Sequence, residues 1–222
     1  MIFQINDIVA DVRVCLDENR VETSLLGDSD EDTLRLEEVI RSKVLEAVER
    51  VHSSAPYHLL EQGHNFGYNP DSNEQEEVAV YWGDQESGWV LLPDDFMRLV
   101  VFEMSDWERP VYSLLTPVDP EYTRCRSQIK AIRGTAQKPV CALGVRPEGR
   151  VLEFYSCKSE EATVTKAVYI PYPAIDASGG VDISERCYRA VVYTIGGLTL
   201  KTSGDKDQSE ALLEMANTLM NK

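Results

Sequence analysis

Several small groups of residues along the chain could do chemistry, and each group implies a different reaction. Three histidines, His52, His58 and His64, stand six residues apart. A helix brings i and i+4 to one face and a strand brings i and i+2, so this spacing does not converge on a metal in either. Five cysteines, Cys15, Cys125, Cys141, Cys157 and Cys187, contain no Cys-x-x-Cys pair and total an odd number. They give neither zinc-ligand spacing nor a closed disulfide framework, and a reducing compartment fits them best. Each lies in an apolar pattern, where a thiol packs as a small hydrophobe; a cysteine nucleophile needs a histidine beside it in a polar cleft. Asp94 with Asp95, and Glu37 with Glu38, have the composition of a general acid–base pair. Neighbouring carboxylates at turns and helix starts are more often caps and solvated charges. The reading assigns no catalytic residue, no metal site and no cofactor, and expects a protein that is not an enzyme.

The segment GGLTLKT places Gly196 and Gly197 ahead of Lys201. A phosphate loop would need the remainder of GxxxxGK[ST] between a strand and a helix start, which is missing. Ile183, Cys187, Val191, Ile195 and Leu198 instead keep helical spacing through both glycines. Each glycine costs a helix about 1 kcal/mol relative to alanine. A second helix crossing close by would offset that cost, so Gly196 and Gly197 are candidates for close helix packing. Aromatic residues gather in YWGDQESGW and DWERPVY, suiting a β core or a protein interface better than nucleic-acid stacking in an acidic setting. Trp89, Leu92, Phe96 and Trp107 are the candidate interface residues.

The elements that would position these groups follow from periodicity. Ile5, Ile8, Val9, Val12 and Leu16 predict an opening helix, and Leu36, Val39, Ile40, Val44, Ala47 and Val51 a second one capped near Asp32 or Thr33. Residues 61–76 read as an acidic loop. EVAVYW, SGWVLLP and FMRLVVFEM read as strands, as do KPVCALGV, RVLEFYSC and TKAVYIPYP. A helix or helix-like loop is expected around 119–134. At the end, Asp182 or Ser184 should start a helix running through the glycines, Gly204 should stop it, and Asp205 with Gln208 should cap another. Leu212, Met215, Ala216 and Leu219 would form its facing stripe. The expected fold is α+β: a helical bundle from residues 1–60 and 174–222, with a mostly antiparallel β lobe inserted at 61–173.

Composition narrows the partners. The chain has 222 residues and a net charge of −16, and 43 % of its residues are hydrophobic, enough for a core of its own. Residues 1–110 hold 25 acids and 8 bases, whereas 111–222 hold 13 acids and 14 bases. An acidic half repels phosphates, which disfavours specific nucleic-acid binding. No apolar run approaches the roughly 20 residues of a membrane span, and the first residues lack the pattern of a signal peptide. No membrane partner is expected.

The order of parts resembles a known family. The helices INDIVADVRVCLDEN and LRLEEVIRSKVLEAVERVHSSAPYHLL are followed by WVLLPDDFMRLVVFEM, QIKAIRGTAQKPVCAL and RVLEFYSC, and then by the hairpin RAVVYTIGGLTLKTSGDKDQSEALLEMANTLM. This resembles the head-to-tail connector, adaptor or tail-tubular ring proteins of tailed bacteriophages, and looks most like those of crAss-like phages of gut Bacteroides. The similarity spans nearly the whole chain, on degenerate motifs; the acidic loop at 61–77 has no counterpart in it. The resemblance implies a virion protein of the neck, assembled in the host cytoplasm. It would form a homo-oligomeric ring, commonly a dodecamer, against the portal protein and other neck or tail proteins. Double-stranded DNA would pass through without specific binding. Two rivals remain: a soluble protein-binding module that docks a partner through the aromatic-rich β lobe, and an enzyme whose site the spacing hides.

Overall fold

The computed structural model describes every residue except 19–35, 61–62, 70–73, 76, 128, 130–131, 156 and 222. The predicted start of the second helix, at Asp32 or Thr33, lies outside the described residues. In chain order the elements begin with β1 (Ile2–Gln4), α1 (Ile5–Glu18) and α2 (Leu36–Ser54). Three two-residue strands follow, β2 (His64–Asn65), β3 (Tyr68–Asn69) and β4 (Glu74–Gln75), then β5 (Tyr81–Trp82), β6 (Gly88–Leu91) and β7 (Phe96–Met104). After the short α3 (Tyr122–Cys125) come β8 (Val140–Arg146), β9 (Gly149–Tyr155) and β10 (Val164–Pro171). The last elements are β11 (Gly180–Asp182), α4 (Tyr188–Thr202) and α5 (Lys206–Met220). The protein is α+β, and its sheets are antiparallel. It divides into two compact units, residues 1–62 with 172–222, and residues 63–171.

The first unit is built around α4. Helix α4 is buried on nearly every side, from Ala190 to Leu200, as expected of a helix that is apolar all round, and it packs against α1, α2 and α5. Those three helices are amphipathic. Helix α1 contributes Ile8, Val9, Val12, Cys15 and Leu16, and α2 contributes Ile40, Val44, Ala47, Val48 and Val51. Helix α5 faces inward with Ser209, Leu212, Ala216 and Met220, while Met215 points outward, so the stripe is rotated from the one its sequence suggested. Gly204 ends the α4 region at φ +86°, and the Asp205 side chain caps α5 by accepting from the Gln208 amide.

Helix α4 starts later than its sequence implies. Asp182 lies in β11, which pairs with β1, and the Ser184 hydroxyl donates to the Leu59 carbonyl instead of capping a helix. A single 3-10 turn, Glu185–Cys187, intervenes before Tyr188. Both ties reach across more than a hundred residues of chain, so no local spacing encodes them.

The second unit contains a four-stranded sheet, β5-β6-β9-β8, and a three-stranded sheet, β2-β10-β7. Phe66, Phe96, Phe102, Trp107, Phe154 and Tyr169 form one ring-rich core with Val90 and Leu152. Phe102 and Phe154 stack at 6.1 Å between centroids, and Trp107 meets Phe154 edge-on at 6.3 Å. The segment read as a loop carries β2, β3 and β4, because short pairings with β10 and between β3 and β4 order it. Of EVAVYW only Tyr81 and Trp82 pair as a strand. Within the helix expected around 119–134, the described residues are α-helical over the four of α3, and residues 128 and 130–131 lie outside them.

Candidate functional site

The two glycines of α4 mark where α5 comes closest. A Cβ on Gly197 would lie 2.8 Å from Leu213 Cγ and 3.1 Å from the Ser209 carbonyl oxygen. The Ser209 hydroxyl donates to the Gly197 carbonyl at 2.8 Å, a helix-to-helix hydrogen bond that only close backbones permit. A Cβ on Gly196 would meet Leu212 Cδ1 at 3.1 Å and Leu16 Cδ2 at 3.7 Å. Both glycines are buried within their own unit, so they carry contact inside the chain.

The candidate interface residues separate. Leu92, Phe96 and Trp107 are at most 8 % exposed and belong to the ring-rich core, so their surface is already spent inside the unit. For Phe96 the reason is register: the inward positions of β7 fall on Phe96, Leu99, Phe102 and Met104, a spacing set by the irregularities in its pairing with β10. Trp89 differs. It is half-buried on β6, with Tyr81 stacked on its ring at 5.6 Å and the Arg146 guanidinium 3.8 Å from its centroid.

Trp89 belongs to a polar constellation that spacing along the chain conceals. Strand β9 is covered on both faces. Leu152 and Phe154 enter the ring-rich core, so Val151, Glu153 and Tyr155 must lie on the opposite face. Register places Trp89 of β6 and Ala142 of β8 directly across from Glu153, with Tyr81 across from Trp89. A Cβ on Gly144 would stand 3.0 Å from Glu153 Cδ, so the absence of a side chain there makes room for the carboxylate.

Glu153, 8 % exposed at its side chain, is a buried charge in the middle of a sheet and requires partners. Arg126 supplies two hydrogen bonds to Oε2, at 3.1 Å from Nε and 2.7 Å from Nη2. Arg146 Nη2 donates to Oε1 at 3.1 Å, and the Tyr155 hydroxyl donates to Oε2 at 2.7 Å. Burial alone would raise the Glu153 carboxyl, but the hydrogen bonds from Tyr155 and Arg126 and the charges of Arg126 and Arg146 bring it below the ordinary glutamate value. Tyr155 shifts upward, through burial first and then its bond to Glu153. A carboxylate held ionised by four donor contacts is suited to organising cations and poorly suited to proton transfer at neutral pH.

Arg133 completes the surroundings. It is buried, donates to the Gln85 carbonyl, and lies 4.0 Å from Glu86. Gln85 and Glu86 both adopt positive φ, at 61° and 51°, in the turn joining β5 to β6. Such a turn matches the twist of a tight hairpin, and Arg133 pins it from outside. A cavity of about 420 Å³ opens here, lined among others by Ser127, Trp89, Tyr155 and the three arginines.

The remaining chemical candidates are dispersed. His52 is buried in α2, His58 sits in the 3-10 turn Tyr57–Leu59, and His64 lies edge-on to Tyr169 in the other unit. Among the described residues no three His, Cys, Asp or Glu side chains are grouped to hold a metal ion. All five cysteines are buried; burial pushes Cys125 upward, Cys141 well upward and Cys157 up to about 12, the reverse of an activated nucleophile. Asp95 accepts from the Tyr169 hydroxyl at 2.7 Å, the Asp94 carbonyl accepts from Arg150, and Glu37 pairs with Arg13 at 2.7 Å. Lys201 is exposed at the end of α4, and no helix among the described residues is long and apolar enough to cross a membrane. The signal that could have found the polar constellation is Glu153 itself, a charge inside the apolar strand RVLEFYSC. No protein-family model matches this chain, and a comparison with curated proteins finds no significant relative.

Proposed function

We propose that the protein is a structural virion component, a ring-forming connector at the neck of a tailed phage. In this reading a helical bundle carries an inserted β lobe, copies of the chain pack side by side, and the ring joins portal to tail. The observation that carries the reading is topological. Segments from both ends of the chain, α1 and α2 with α4 and α5, share one aliphatic core, and the β strands from β2 to β10 lie between them in sequence. That is the order of parts on which the resemblance rests. A part of this kind must let DNA slide past without retaining it, and a chain with net charge −16 repels a polyanion. The titratable groups support a structural role as well, since Glu153 is committed to three side chains and the cysteines of the β unit are held as thiols.

Light scattering of the purified full chain, alone and mixed with the portal protein of the same phage, tests the proposal together with mass spectrometry of purified particles. The expected result is a closed oligomer, formed alone or on the portal, and the protein present in particles at ring stoichiometry. A chain that stays monomeric under both conditions and is missing from particles would refute it.

A further inference from the structure

We infer that the cavity beside Glu153 is a binding site for a single carboxylate group, held between the outward edges of Arg126 and Arg146. This inference does not depend on the ring reading. The first observation is charge. Among the residues that line the cavity, three guanidiniums, Arg126, Arg133 and Arg146, face two carboxylates, Asp84 and Glu153, which leaves one positive charge in excess at its wall; Glu86, 4.0 Å from Arg133, does not line it. This occurs within a stretch, residues 124–150, that holds seven bases and one acid in a chain whose net charge is −16.

The second observation is unspent donors. Arg126 uses Nε and Nη2 on Glu153, which leaves Nη1. Arg146 uses Nη2 alone, and its Nε is buried without a hydrogen-bond partner among the described residues. Nη1 of each arginine makes no hydrogen bond to Glu153, and with 44 % and 36 % of the Arg126 and Arg146 side chains exposed these are the donors left for an acceptor entering the cavity. The third observation is rigidity. The Tyr81–Trp89–Arg146 stack fixes the plane of one guanidinium, and the two-point bond to Glu153 fixes the other. A fork of this type, held in advance, matches the two oxygens of a planar carboxylate.

The same geometry disfavours phosphate. A dianion would meet only one excess positive charge, with the carboxylates of Glu153 and Asp84 both in the lining. The cavity, at about 420 Å³, has room for more than the carboxylate itself, so a small organic acid or an acidic side chain of a partner peptide could present it.

The test is titration of the full chain at low ionic strength, following the arginine Nε–H resonances by NMR. The probes are acetate, glutarate, inorganic phosphate, and a blocked peptide containing one internal glutamate. Carboxylates should shift the Arg146 and Arg126 signals, and phosphate should act at least about tenfold more weakly. Tighter binding by glutarate than by peptide identifies a small acid as the source; the reverse order identifies a protein partner. Arg146→Lys keeps the charge beside Glu153 but removes the fork, and should weaken carboxylate binding by about tenfold. Glu153→Gln removes the competing anion and should tighten all the anions, phosphate most. Circular dichroism and tryptophan fluorescence check that each variant is folded. Absence of any arginine shift in the folded wild-type chain, or equal binding by wild type and Arg146→Lys, would overturn the inference.

Discussion

In the helical unit the most deeply buried side chains are aliphatic, Ile8, Ile40, Ile195 and Leu200, whereas the β unit closes around the rings of Phe66, Phe102 and Phe154. The contrast extends to polar groups. A helix satisfies its own backbone, so α4 can be surrounded by apolar neighbours and approach α5 through two glycines with one serine bond between them. A central strand such as β9 has two faces to fill, and here the second is filled with Glu153, two arginines and a tyrosine. The helical core therefore depends on the closeness of backbones. The β core depends on ring packing plus a paired charge. These are separable claims, and the chain offers separate probes, because Trp82, Trp89 and Trp107 all lie in the β unit while α4 and α5 dominate the helical one.

The largest effect is expected for Phe154→Ala. Its ring is fully buried and touches Trp82, Phe102 and Trp107, so truncation should cost about 4 kcal/mol. Urea unfolding followed by tryptophan fluorescence should show the loss. A change under about 1 kcal/mol would mean that the rings are not a single packed core.

Gly197→Val comes next. The added branch would meet Leu213 and the Ser209 carbonyl within the contact distance of a real side chain, and overpacking of this kind should cost about 3 kcal/mol. Far-ultraviolet circular dichroism during unfolding should report it. An unchanged midpoint would show that α4 and α5 can separate cheaply, and the contrast between the units would collapse.

Glu153→Gln removes the charge that two guanidiniums share. Complete removal of one partner from a buried pair costs about 3–5 kcal/mol. Here Arg126 and Arg146 keep 44 % and 36 % side-chain exposure and can hydrate, so about 2 kcal/mol is expected. The pH dependence has a definite sign. The folded Glu153 carboxyl lies below its ordinary value, so its contribution is present above about pH 4.3, the unfolded glutamate value, and disappears as pH falls through the folded one. The variant should flatten that acid limb in a series of unfolding curves. An identical acid limb would mean that Glu153 is not the titrating group.

How much of this was legible in the sequence depends on the range of the interaction. Gly204, Asp205 and Gln208 act within a few residues, and the α4–α5 hairpin follows from them directly. The β1–β11 pair joins Ile2 to Asp182, and Ser184 is diverted to Leu59; neither partner can be guessed from spacing. The Glu153 constellation is of the same kind, since sheet register and the 115–133 segment bring in Trp89, Arg126 and Arg146 from three places. Leu92, Phe96 and Trp107 misled for a related reason. Composition marks aromatic and aliphatic residues as capable of binding, but only register decides which of them the core consumes.

Gly196→Ala is expected to do least, and its value lies in the comparison with its neighbour. The new methyl would press on Leu212 Cδ1 at 3.1 Å, the tip of a flexible side chain, and would lie at 3.7 Å or beyond from Leu16 and Cys15. Moving that tip by a few tenths of an ångström in a buried core costs about 1 kcal/mol, the low end of overpacking, while alanine recovers about 1 kcal/mol of helix propensity. The two terms nearly cancel, so stability should change by less than about 0.5 kcal/mol. At Gly197 the same methyl would face Leu213 Cγ at 2.8 Å, a branch point, and a backbone carbonyl at 3.1 Å. The carbonyl is fixed by the helix, and Leu213 Cγ yields only if the whole side chain turns about its Cα–Cβ bond, so the propensity gain does not offset the clash. Adjacent alanine variants should therefore differ clearly in denaturant midpoint. Equal tolerance would place the crossing farther out than these contacts allow, and equal loss would mean that Leu212, only 3 % exposed, is too tightly held to yield.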